Sequence, residues 1–281
     1  MSARPRRSAL YMPGANARAL EKARALAADA LILDLEDAVA PDAKALARAQ
    51  VVAALDEGGF GRHEVVVRVN ALDTPWGEDD LVALGGVRLD GIVVPKVETA
   101  GQIEAVCARL GRADVPIWIM VETPKSILAL ESIVRDAPRA DVLVMGTSDL
   151  VKALHARHTI GRAEVHGALA HCVLVARAYD RAALDGVHLD FRNLDSLRGA
   201  CVQARDLGFD GKTLIHPTQI DVANEVFSPS AEDVAAARQI IAVWQEAQRQ
   251  GKGVAVLDGR LIENLHVAEA ERVLAFAARL G

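Results

Sequence analysis

Eight short β-branched runs, each followed by an Ala- and Leu-rich helical stretch, in a chain of 281 residues, predict an α/β fold: a (β/α)8 TIM barrel with a C-terminal extension. The runs are Ser8–Met12, Ala30–Leu35, Glu64–Val69, Gly91–Pro95, Pro116–Val121, Val142–Gly146, Gly186–Leu189 and Gly211–Ile215. Eight such units at this length favour closure over an open, doubly wound sheet, because a barrel of this kind takes about 250 residues. Between the first two runs, Ala19, Leu20, Ala23, Leu26 and Ala27 fall on one face of a helix, with Asn16 as its N-cap. The turn after the first run, around Pro13 and Gly14, lacks the G-x-G-x-x-G spacing of a dinucleotide-binding fold. The fifth run leads through Glu122 to Thr123, an N-cap, and Pro124 at the first helical position. The sixth passes through Gly146 into Thr147, Ser148 and Asp149, which open a helix.

From Ser228 the rhythm changes. Ser230 and Asp233 have the spacing of a capping box and start a helix that runs to about Gln250. Val254–Leu257 and Arg260–Glu263 then flank Asp258-Gly259 as a hairpin with a two-residue turn, and an Ala-rich helix ends the chain. The barrel is expected over residues 1–227 and a helix–hairpin–helix extension over 228–281.

Hydrophobic residues make up 51% of the chain and aromatics only 4%, so the core is expected to be aliphatic and rich in Ala. A net charge of −6 and a pI near 5.8 argue against nucleic acid as a partner. The basic start, Arg4, Arg6 and Arg7, reads as a solvated terminus. Three cysteines without close spacing suit reduced thiols. With no signal-like segment and no apolar run near the roughly 20 residues that span a bilayer, the expectation is a soluble, cytoplasmic protein with no membrane partner.

Barrel enzymes carry their chemistry at the C-terminal ends of the strands. There, Trp118, Met120 and Glu122 share one face by the period of two, so Glu122 is expected in the barrel mouth, with Asp149 at the next strand end. Two such carboxylates make a site for Mg²⁺, with Mn²⁺ able to substitute. The plainer alternative is an N-cap at Asp149 and a salt bridge at Glu122. Val66, Arg68 and Asn70 share a face of the third strand. Arg68 can hold a substrate carboxylate in two parallel hydrogen bonds, or form an ion pair with the acids of the second strand. Those acids, Asp34, Glu36 and Asp37, can orient Arg68 or hold water on a metal. The amides of Thr147, Ser148 and Asp149 suit an anion. His155 and His158 lack further ligands at zinc spacing and read as surface. His216-Pro217 either lines the pocket or caps the element that follows.

These residues resemble the HpcH/HpaI aldolase–citrate lyase family, on its branch of CoA-ester lyases. The matching stretches are Arg7-SALYMPGAN, DLEDAVAPDAK ending at Lys44, VRVNALDTPWG around Arg68, VPKVE ending at Glu98, VET ending at Thr123 and GTSDL ending at Leu150. GFDGKTLIHPTQI, ending at Ile220, and GVAVLDGRLIENLH, ending at His266, complete them. The resemblance implies that Glu122 and Asp149 hold Mg²⁺, that Arg68 clamps the 2-oxo or 2-hydroxy acid, and that Glu36 and Asp37 support them. It places coenzyme A, as part of the substrate, at Pro13-Gly14, Lys44 and His216-Pro217. Two departures stand out. Ser126 takes a position that is often Gly in the family, which should narrow the pocket. Glu263, in Leu261-Ile262-Glu263-Asn264-Leu265, replaces an Asp that acts as acid/base at a neighbouring subunit.

The activity so implied is cleavage of a short 2-hydroxyacyl-CoA, malyl-CoA, to acetyl-CoA and glyoxylate, with Arg68 and Glu263 as catalytic groups. Hydrolysis of malyl-CoA to malate and CoA is the alternative in the same site. A citrate lyase beta-type subunit and a pyruvate-type aldolase are further alternatives, the hairpin arm speaking against the last. The partners expected are a CoA thioester, a 2-oxo acid and further copies of the chain, as a trimer or a dimer of trimers. In that assembly the arm reaches a neighbour's barrel mouth. Otherwise it folds back, with Glu263 a solvated strand end.

Overall fold

The structure is a computed structural model and describes residues 4–280; the outermost residues of both expected ranges, 1–3 and 281, lie outside it. Strands and helices alternate through the first unit: β1 (Ser8–Pro13), α1 (Ala17–Ala23), β2 (Ala30–Asp34), α2 (Lys44–Glu57), β3 (Glu64–Arg68), α3 (Gly77–Leu84), β4 (Gly91–Val94) and α4 (Ala100–Leu110). They continue as β5 (Ile117–Val121), α5 (Pro124–Asp136), β6 (Ala140–Met145), α6 (Thr147–Ala153), α7 (His166–Ala178), β7 (Ala182–Asp185), α8 (Leu194–Leu207), β8 (Gly211–Leu214) and α9 (Ile220–Val226). Neighbouring strands pair in chain order, all parallel, and β8 pairs back onto β1, which closes the barrel. Among the described residues no helix is long and apolar enough to cross a membrane.

The period of two fills the barrel. Ala9, Ala30, Ile32, Val66, Val93, Trp118, Met120, Val142, Val144, Ala182 and Leu184 pack together, with Tyr11 against them. Arg6 is no solvated terminus. It is 4% exposed, holds buried Glu64 in a two-bond fork at 2.6 and 2.7 Å, and lies 5.2 Å over Trp118. Arg7 likewise grips Asp29. A carboxylate buried at the start of a strand needs a cation, and the N-terminal segment supplies it.

Two expected elements differ. The seventh strand is Ala182–Asp185, while 186–189 is loop. Val187 and Leu189 carry the stronger β signal, but the ladder partners of Val142, Leu143 and Val144 are Ala182, Ala183 and Leu184. The first helix begins at its Asn16 cap as expected but ends by Arg24, so Ala27 is left exposed.

The compact units run over residues 6–225 and over 226–280 with 4–5. The second contains α10 (Ala231–Arg249), capped by Ser230 in a box with Asp233, then β9 (Ala255–Leu257), β10 (Arg260–Ile262) and α11 (Asn264–Leu280). Asp258 and Gly259 take φ of 50° and 78°, the two left-handed residues of a type I′ hairpin turn. Trp244, Ala247, Ala255, Ile262 and Val267 form its core. Val256 and Leu261, opposite each other in register, are both exposed.

Candidate active site

Glu122 follows the last residue of β5 on the inward face and is 2% exposed. The turn that carries it is built by its neighbours. Thr123 caps α5 by accepting from Ser126 N, and Pro124 takes the first helical position, where its missing N–H costs nothing. Ser126 does not narrow the mouth. It is buried, and its hydroxyl accepts from the amides of Glu122 and Thr123 and donates to Thr123 O, fixing the backbone under the carboxylate. Glu122 Oε1 accepts from Lys96 N at 2.7 Å. Among the described residues no basic side chain forms an ion pair with it, so the salt-bridge alternative falls. Burial, only partly opposed by the Lys96 amide and reinforced by Glu36 and Asp149, pushes its carboxyl up to about 7.

Asp149 lies in the first turn of α6, whose N-cap is Gly146 without any side-chain cap. Its carboxylate therefore caps nothing and has no hydrogen-bonding or ion-pair partner among the described residues. Gly146 is required by Glu122: a Cβ there would lie 2.3 Å from Glu122 Cβ and 2.5 Å from its Oε2. These groups fit Mg²⁺. The donors are carboxylate oxygens, one of Glu122's oxygens is taken by a single amide, and Asp149 is free among the described residues. Mg²⁺ takes one or two carboxylates and keeps several waters, so a pair suffices. No group of three or more His, Cys, Asp or Glu suited to a metal occurs among the described residues.

The register that sets Asp34 beside Arg68 decides what Arg68 does. Its Nε and Nη2 each reach Asp34 at 2.7 Å, a buried two-bond fork, so the ion-pair alternative is the one realised. Nη1 lies 3.0 Å from Glu36 and 3.6 Å from the exposed Asp37. Tyr11 lies beneath, its ring 4.7 Å from the guanidinium, and burial raises the pKa of its phenol. Burial disfavours charge on Arg68, but Asp34, Tyr11 and Glu36 outweigh it and raise its pKa. Burial likewise leads in raising the pKa of Glu36, against Arg68. On the other side, Glu36 Oε1 takes Lys96 Nζ at 3.1 Å. Lys96 has a left-handed backbone, φ 51°, which costs a non-glycine residue on the order of 1 kcal/mol. The amide of this same residue is the one that holds Glu122. Lys96 went unnoticed in the sequence. Only its place in the family-like VPKVE stretch, after the fourth strand, could have signalled it.

The residues expected at coenzyme A divide. Gly14 packs onto β2, its amide donating to Asp34 O, and a Cβ would lie 2.7 Å from that oxygen. Lys44, which the resemblance places at coenzyme A, has its ammonium committed within the fold. It is buried, and its three N–H groups go to Leu35 O, Glu36 O and Asn70 Oδ1. The turn carrying the strand-two acids has carbonyls that need these donors. His216 caps the turn beginning at Pro217 by accepting from Thr218 N, and it also stacks on Phe191 at 4.8 Å. Glu263 is exposed at the end of β10, its amide donating to His266 Nδ1.

The family profile described as HpcH/HpaI aldolase/citrate lyase matches residues 7–217. The chain is 48% identical over 279 residues to a (3S)-malyl-CoA thioesterase of Cereibacter sphaeroides, covering 99% of this chain and 97% of the relative. It is 35% identical to an L-malyl-CoA/beta-methylmalyl-CoA lyase of the same species, covering 97% and 94%. Among solved structures it resembles protein CitE from Mycobacterium tuberculosis, in complex with magnesium, acetoacetate and coenzyme A. The TM-score is 0.81 and the identity 32%, covering 96% of this chain and 97% of that one.

Proposed function

The chain belongs to the HpcH/HpaI aldolase/citrate lyase family, and on that premise we propose that it is a magnesium-dependent thioesterase that hydrolyses malyl-CoA, or a close 2-hydroxyacyl-CoA, to the free acid and CoA. The observation that carries the site is the carboxylate pair at adjacent strand ends, Glu122 and Asp149, held without ion-paired basic partners among the described residues. Bound between them, Mg²⁺ would supply positive charge for the carboxylate and 2-hydroxyl oxygens of the acid. Glu122 is held for this by the Lys96 amide, and Asp149 by the first turn of α6. Asp34 fixes Arg68 so that its Nη1 edge lies toward Glu36 and the mouth, where it adds charge for the acid end. The Thr147–Asp149 amides, with no side-chain cap before them, can donate to the same carboxylate.

Glu263 is proposed as the general base, delivered by a neighbouring copy in a trimer or a dimer of trimers. It accepts a proton from water as the water oxygen bonds to the thioester carbon; the C–S bond then breaks, and the proton leaves with the CoA sulfur. The exposed apolar pair Val256 and Leu261 on the hairpin supports an arm that docks on another surface.

Hydrolysis is preferred over C–C cleavage because the likeness to the thioesterase exceeds that to the lyase. Glu263 in place of the family's Asp agrees, since a base displaced by one methylene can cost on the order of a hundredfold in a proton transfer tuned to the shorter side chain. Cleavage to acetyl-CoA and glyoxylate remains the second reading, favoured by the lyase's likeness along 97% of this chain. Purified protein incubated with malyl-CoA and Mg²⁺, with malate, free CoA and glyoxylate followed separately, decides between them. Malate and CoA in equal amounts support hydrolysis. Glyoxylate without free CoA overturns it. Inactivity of the isolated chain on free malyl-CoA points to a citrate lyase-type subunit that needs a carrier.

A further inference from the structure

Among the described residues three cationic side chains contact Glu36, and they differ in what they have left to offer. Lys44 has committed every N–H to the fold. Arg68 is 8% exposed and faces Asp34 and Glu36. Lys96 has a side chain 50% exposed and, among the described residues, a single ammonium bond, to Glu36, which leaves two of its three N–H groups uncommitted there. Its backbone amide holds Glu122, so the residue that anchors one metal carboxylate also presents a cation on the same rim. Glu36 is the pivot between the two cations at its ends, Lys96 on Oε1 and Arg68 on Oε2.

We propose that Lys96 is a substrate-binding residue whose ammonium pairs with the carboxylate of the 2-hydroxy acid, while Arg68 holds Asp34 and Glu36 in place behind it. The proposal rests on the 2-hydroxyacyl-CoA reading above. A lysine suits this position chemically. A carboxylate with one oxygen directed to a metal has one oxygen left, and a compact point charge meets a single oxygen better than a guanidinium fork does. The left-handed backbone at Lys96 fits the same role, because it lets the amide and the side chain serve the site together.

The test is calorimetric titration of L-malate into the Mg²⁺-loaded protein, with Mg²⁺ binding measured separately, for wild type, Lys96→Met and Lys96→Arg. Met is unbranched at Cβ like Lys and meets the same cost in the left-handed backbone, so it isolates the charge. Lys96→Gln serves should the Met variant fail to fold by circular dichroism. Lys96→Met is expected to bind malate about tenfold to a hundredfold more weakly, to keep its Mg²⁺ affinity within about threefold, and to raise KM for malyl-CoA more than it lowers kcat. Lys96→Arg should retain most of the malate affinity. Wild-type malate binding by Lys96→Met, or a matching loss of Mg²⁺ binding, overturns the role of Lys96 alone. A wild-type protein that binds no malate with Mg²⁺ present overturns the functional reading itself.

Discussion

Gly146→Ala tests whether Glu122 must stand where the barrel puts it. Gly146 has φ −96°, which alanine adopts freely, so the substitution acts by volume alone. The new methyl would lie 2.3 Å from Glu122 Cβ and 2.5 Å from Oε2, against an ordinary carbon–carbon contact of about 3.5–4 Å, so the side chain has to retreat by more than about 1 Å. Overpacking of a rigid wall costs about 1–3 kcal/mol. A displacement of that size at a metal ligand costs on the order of tenfold to a hundredfold in affinity. Thermal unfolding and calorimetric Mg²⁺ titration measure the two effects independently. A variant that is folded and binds Mg²⁺ as tightly as wild type would refute the claim that Gly146 reserves the space Glu122 occupies, and with it the site's placement of that carboxylate.

Arg68→Lys keeps the charge but cannot fork onto Asp34, so it should lose about 1.5–3 kcal/mol of stability and lower kcat, and near-normal melting and kinetics would reduce the fork to a bystander. Glu122, raised from 4.5 to about 7 in the metal-free protein, favours its neutral form. Its contribution to stability, about 3 kcal/mol at most, is full below pH about 4.5 and is lost as pH rises through about 7. Mg²⁺ competes with that proton, so apparent Mg²⁺ affinity should climb about tenfold per pH unit up to about 7 and then level off; a flat profile from pH 5.5 to 7.5 would count against the assignment. Glu122→Ala and Glu263→Ala proteins, each inactive, should recover activity when refolded together, with about one site in four holding both intact groups. Mixed oligomers that stay inactive would remove Glu263 from a neighbour's site, and a fully active Glu263→Ala protein would remove its acid/base role.

Much of this was present along the chain. Periodicity alone set Trp118, Met120 and Glu122 on one face, because a strand's side chains alternate whatever surrounds them. Local chemistry fixed the caps at Asn16, Thr123 and Ser230 and the Asp258-Gly259 turn, since each is satisfied within a few residues. What local signals could not fix was pairing. Arg68 had two outcomes open to it, and only the parallel register of β2 and β3, which sets it opposite Asp34, chose between them. The seventh strand went to Ala182–Asp185 rather than to the more β-like residues that follow, because the strand position is set by its partners in β6 and β8. Arg6, Lys44 and Lys96 differ little as basic residues in the sequence. The fold buries the first two on acids and carbonyls brought from up to 135 residues away and leaves the third half in water. Charge is written in the sequence, but whether a charge is consumed or available depends on burial and on partners distant in the chain, and those exist only once the barrel closes.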